Sequence, residues 1–147
     1  MTGSVADGSL YKDVSGIGAE PSRDSPFPTV AVLAAGTVTT ASGNSADFYT
    51  AGRGLDVYID FTAVSGTSPT FVATVQGKDP VSGAYFTMLT SASLTAGGFT
   101  HLQVAPGIAV TANVTASLQM PNSWRIGWTV GGTTPSFTGS ITVLPLP

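Results

Sequence analysis

The sequence predicts an all-β protein: a two-sheet antiparallel β-sandwich, immunoglobulin-like or jelly-roll-like, with an extended N-terminal arm. Three observations carry that expectation. After Pro28 the chain divides into short runs rich in Val, Thr, Phe, Tyr and Ile, separated by Gly-containing breaks. In the clearest runs apolar and polar residues alternate with period two, the spacing of a strand with one buried face. No segment sustains the 3.6-residue period of a long helix.

Residues 1–28 form the expected arm and residues 29–147 the expected sandwich domain. The arm is rich in Gly, Ser, Asp and Pro, ends in "EPSRDSPFP" and shows neither period. Its composition fits a solvated leader or a segment that orders on a partner. Four large apolar residues, Leu10, Tyr11, Ile17 and Phe27, are the anchors that the second reading would use.

Strands are expected in order at "TVAVLA", "GTVTTA", "ADFYT", "LDVYIDFTA", "TFVATVQGKD", "AYFTMLTSA", "FTHLQVA", "IAVTANV", "WRIGWTV" and "SFTGSITVL". In the fourth run Leu55, Val57, Ile59 and Phe61 share one face, and Asp56, Tyr58, Asp60 and Thr62 the other. In the fifth, Phe71, Ala73 and Val75 alternate with Val72, Thr74 and Gln76. The spacing of Trp124, Ile126, Trp128 and Val130 directs both tryptophans into one core. "TSASLTAGG" and "TASLQMPNS" have room for a single helical turn each, the second stopped by Pro121.

One loop is used twice: "AVSGTSPTF" at Ala63 to Phe71 returns as "TVGGTTPSF" at Thr129 to Phe137. Gly66 and Gly132 can adopt angles barred to other residues, and Pro69 and Pro135 fix their own φ and push the preceding residue toward extended backbone. Each copy is therefore expected to be a hairpin connection that turns the chain and starts the next strand. Its small hydroxyl-bearing tip, Thr67 and Ser68 in one copy and Thr133 and Thr134 in the other, is a candidate partner contact.

Composition bounds the function. The 147 residues suit one domain, which at this size buries roughly 68–70% of its unfolded surface. Only 9% are charged, and eight acids against five bases give a net charge of −3, with no basic patch for nucleic acid. Cysteine is absent, which removes disulfides, thiolate metal sites and cysteine nucleophiles. Neither a signal peptide nor a membrane span is expected, so no membrane partner is expected, and synthesis in a cytoplasm is the default.

Catalytic chemistry finds no foothold in the residues. A lone histidine, His101, cannot build a multi-histidine metal centre or announce a triad, and reads as structural or surface. Asp56 and Asp60 lie on one strand face, four residues apart. Paired carboxylates serve glycosidic chemistry or calcium only with further partners, and here they read as solvent-facing charges that discourage sheet edges from pairing. "TAGRGL" lacks the Lys and the glycine spacing of a phosphate loop. No enzyme, no cofactor and no metal are expected.

The segment from about Ser42 to Leu144 resembles small β-sandwich virion proteins of tailed bacteriophages, especially those of actinobacteria, among them head decoration or minor capsid proteins. "LDVYIDFTAVSGTSPTF", "VQGKDPVSG" and "WRIGWTVGGTTPSF" carry the resemblance. It implies a protein made in the host bacterial cytoplasm that binds the outer capsid surface. There it would bridge copies of the major capsid protein, assembling with itself as a homo-oligomer, with a trimer favoured by capsid symmetry. Two alternatives stand beside it: a tail or head-fibre module, and a carbohydrate-binding module stacking sugars on Tyr58, Trp124 or Trp128.

Overall fold

The structure, a computed structural model, describes residues 28–50 and 52–147. The arm anchors Leu10, Tyr11, Ile17 and Phe27 lie outside the described residues. All regular structure in the described part is strand: β1 (Val30–Thr39), β2 (Gly43–Asn44), β3 (Phe48–Tyr49), β4 (Gly54–Lys78), β5 (Tyr85–Thr90), β6 (Gly98–Val104), β7 (Thr115–Ala116) and β8 (Ser123–Leu146). The all-β class is therefore found as expected. The two short segments with room for a helical turn are not helical, and Leu94 in the first pairs instead with Phe71.

The strands form one hydrogen-bonded sheet rather than two. Its main order is β1-β8-β4-β6-β7, with β2 and β3 pairing β8 and β5 pairing β4. Pairing is antiparallel except between β6 and β7, which run parallel, so the sheet is mixed. Three pairs of expected strands are fused: "TVAVLA" and "GTVTTA" are both β1, "LDVYIDFTA" and "TFVATVQGKD" are both β4, and "WRIGWTV" and "SFTGSITVL" are both β8. "IAVTANV" is not a strand.

The sheet folds onto itself. Phe61 and Phe71 both belong to β4, and a straight strand would hold them about 33 Å apart. Their ring centroids are 4.8 Å apart, and Phe137 of β8 lies 5.2 Å from the first and 5.3 Å from the second. The first half of β4 pairs β6 and the last half of β8; its second half pairs β5 and the first half of β8. These two halves meet face to face over a shared core. Leu55, Val57, Ile59, Leu102, Ile141 and Val143 enter it from one side, and Ala73, Val75, Trp124 and Ile126 from the other. Burying each large apolar side chain contributes about 1.5–3 kcal/mol.

The repeated loop lies at the fold, and the structure corrects its reading. Neither copy is a hairpin connection; each is a bend inside a long strand, and the two bends pair with each other. Val64 faces Phe137 and Val130 faces Phe71, while Thr67 faces Thr133. These pairs interchange when one copy of the repeat is laid on the other, so the crossing has a local two-fold axis. Gly66 (φ +114°) and Gly132 (φ +106°) occupy equivalent places, as do Ser68 (φ +49°) and Thr134 (φ +48°). A Cβ on Gly66 would meet Thr134 O at 2.7 Å, and one on Gly132 would meet Ser68 O at 2.6 Å. Only glycine satisfies both the dihedral and the backbone approach at these two positions.

Gly66→Ala and Gly132→Ala should each destabilise the protein by about 2 kcal/mol or more, and by similar amounts, since each combines positive-φ strain with a backbone overlap. Ser68→Gly and Thr134→Gly, which relieve a left-handed residue costing about 1–2 kcal/mol, should leave stability unchanged or raise it. Urea unfolding of the four variants checks both halves. A Gly66→Ala variant as stable as the parent would contradict the paired-bend account.

Candidate functional site

Of the expected contact residues inside the described part, Thr67, Ser68, Thr133 and Thr134 are brought together at the exposed tip of the folded ribbon. The tip carries no charge and no large side chain. Its chemistry is confined to hydroxyl groups and backbone.

The tryptophans are not a ligand platform. Trp124 is fully buried and packs against Phe48, with centroids 4.9 Å apart. Trp128 is half-buried, donates its indole N–H to Ala41 O at 3.1 Å and is capped by Gly43. Both face inward, as their alternation required.

Tyr58 lies on the outer face of the sheet with Asp56, His101 and Phe99. Its ring stacks on His101 at 5.0 Å between centroids and 10° between planes, and its hydroxyl donates to Asp56 Oδ2 at 3.4 Å. His101 Nε2 lies 3.2 Å from Asp56 Oδ1. Removal from water, and next the negative charge of Asp56, push the Tyr58 phenol above its ordinary pKa. Asp56 corrects the expectation of a solvent-facing carboxylate: at 8% exposure it is buried beneath these rings, whereas Asp60 is exposed. The strand alternation placed Asp56 on the outer face correctly, but the cross-strand rings that cover it come from β6.

The opposite layer carries a polar network that joins three strands and a loop. Arg125 on β8 donates Nε–H to Gln76 Oε1 at 2.7 Å and lays its guanidinium 3.5 Å from the Tyr85 ring centroid. Tyr85 donates its hydroxyl to Asp47 Oδ1 at 2.6 Å, and Lys78 donates Nζ–H to Asp47 Oδ2 at 2.8 Å. The Lys78 and Tyr85 hydrogen bonds hold the Asp47 carboxyl below the ordinary carboxylate value, and the Asp47 bond holds the Lys78 ammonium above its own. Asp47 lies just before β3, so the network clamps that loop to the sheet.

Beside this network a groove of about 470 Å³ opens at the end of the molecule farthest from the ribbon tip. It is lined by Tyr49, Lys78, the turn 79–83, Pro121, Asn122 and Ser123, with Tyr49 paired to Ser123 across β3 and β8. Asp79 builds the turn: its Oδ1 accepts the N–H groups of Val81 at 2.7 Å and Ser82 at 3.2 Å, which lowers its pKa. The sequence itself signals this turn, because "DPVSG" gathers Asp, Pro, Ser and Gly between two strand-like runs. Tyr49 and Asn122 carried no signal, because they reach the groove through pairing between distant segments, Thr50 N–H donating to Asn122 O at 2.9 Å.

Large apolar side chains also stand exposed around β6 and β7: Phe99 (63%) on the outer face of β6 beside Tyr58, Val110 (70%) and Val114 (42%) in the loop before β7, and Leu118 (44%) just after it. Among the described residues no cluster of three metal-ligating side chains occurs.

No family model matches this chain, and no curated protein does. A chain from the solved structure of infectious bursal disease virus, Gx strain, is similar at a TM-score of 0.34 and 18% identity over 92% of this chain. The alignment spans 37% of that chain. Likeness at that score does not define a shared fold.

Asp47→Asn should lower the urea midpoint at neutral pH, and the difference from the parent should vanish in acid. The sign follows from the depressed carboxyl: its contribution is complete above the ordinary value of 3.8 and is lost as pH falls through the lower folded value. Denaturation curves at neutral pH and below the carboxylate range test this; a difference that persists in acid would assign the effect to packing instead.

Proposed function

We propose that the protein is a structural virion component of a tailed bacteriophage, a head decoration protein that binds the outer capsid surface and bridges major capsid subunits. The sequence resemblance raised this reading. The observation that supports it best is the surface around β6 and β7, where Phe99, Val110, Val114 and Leu118 hold large apolar surface in water on a protein with few charges. Such surface gains free energy when it is covered.

In this reading the sandwich-like body is a rigid spacer, the apolar surface meets a neighbouring subunit, and residues 1–28 add further contacts. A ligand that binds only the assembled shell stabilises it by mass action. Weak contacts repeated over many copies give high avidity without a tight single site. Self-association into a trimer would match a capsid symmetry position.

Capsids assembled without this protein should bind it stoichiometrically when mixed and sedimented; failure to co-sediment would remove the decoration reading. Val110→Ser with Leu118→Ser should weaken binding by at least about tenfold while leaving the unfolding midpoint nearly unchanged, because the two side chains are exposed and lie outside the strands. Removal of residues 1–28 should also weaken binding.

A further inference from the structure

We propose that the groove beside Tyr49 is a binding site for a neutral saccharide. This does not rest on the virion reading. The groove's own chemistry selects the ligand class by elimination.

Anions are disfavoured because the turn's backbone donors are already used: the N–H groups of Val81 and Ser82 both point at Asp79 Oδ1. Asp79 itself adds negative charge at the wall. Metal cations are disfavoured because Lys78 holds its ammonium in the same wall and the described residues supply no three-ligand cluster. A purely apolar molecule would strip water from Lys78 and Asp79 without replacing it.

A pyranose meets each requirement. Tyr49 is 75% exposed and, with Pro121, offers apolar surface for the C–H face of a sugar ring. Lys78 gives one N–H to Asp47, leaving two to donate to sugar oxygens. Asp79 spends Oδ1 on the backbone, leaving Oδ2 to accept from a hydroxyl, and Asn122 can do both. A volume of about 470 Å³ lies within the ~300–1,000 Å³ of small-ligand sites.

The test uses the isotope-labelled full chain, titrated separately with methyl glucopyranoside, methyl galactopyranoside and N-acetylglucosamine while backbone amide resonances are followed. Saturable shifts confined to Tyr49, Val81, Ser82 and Asn122 with at least one sugar are expected. Tyr49→Ala should weaken that binding by about tenfold or more, with an unchanged unfolding midpoint as the check on folding. No saturable shift with any of the three sugars would overturn the proposal, as would shifts centred on Tyr58 and Phe99. A peptide of sequence SRDSPFP is titrated in parallel; groove shifts with the peptide and none with the sugars would assign the groove to a proline-rich segment and likewise overturn it.

Discussion

The fold depends on the close antiparallel crossing of two strands at Gly66 and Gly132. At that point each backbone approaches the carbonyl of the other strand so tightly that no side chain fits between them, and the residue two positions later in each strand, Ser68 or Thr134, turns left-handed. This lets β4 and β8 reverse direction together, their pairing shifting register on either side of Thr67 and resuming beyond the bend. A bend in one strand alone would strand the ladder hydrogen bonds of its neighbour, and buried backbone groups left unpaired are costly. The repeated nonapeptide is the chemical solution: two copies, paired about a local two-fold axis, bend by the same amount at the same place.

Everything else follows from that fold. Because both strands carry alternating apolar residues on each side of the bend, folding brings two apolar faces onto one core and closes it around the Phe61, Phe71 and Phe137 cluster. The remaining strands attach by pairing. β1 extends one layer beyond β8, β6 extends it beyond β4, and β5 with the short β2 and β3 complete the other. The outer faces then acquire distinct characters: stacked rings over a buried Asp56 on one layer, and a charge-compensated network from Gln76 to Lys78 on the other. Polar contacts of this kind position loops more than they stabilise the core, since exposed ion pairs contribute at most about 1 kcal/mol.

The surface separates into three regions that have little chemistry in common. The ribbon tip is small and hydroxyl-bearing, the surface around β6 and β7 is apolar, and the groove at the far end combines an aromatic ring with compensated charges. A body built on one paired ribbon presents all three at once. Thr67, Ser68, Thr133 and Thr134 gathered as a tip, but the large exposed side chains that a contact most needs lie elsewhere.

The sequence by itself determined the strand content, the inward set Leu55, Val57, Ile59 and Phe61, the inward tryptophans and the turn at Asp79. These are local or periodic properties, readable wherever the side-chain period is two. Tertiary structure alone decided that the ten runs form fewer, longer strands in one folded sheet, and that Asp56 lies under His101. It alone brought Tyr49 to Lys78 and Asn122. The physical reason is common to these cases: Gly and Pro signal a departure from straight strand, but a hairpin turn and a paired bend need the same residues. Only the partner strand, more than sixty residues away, distinguishes them.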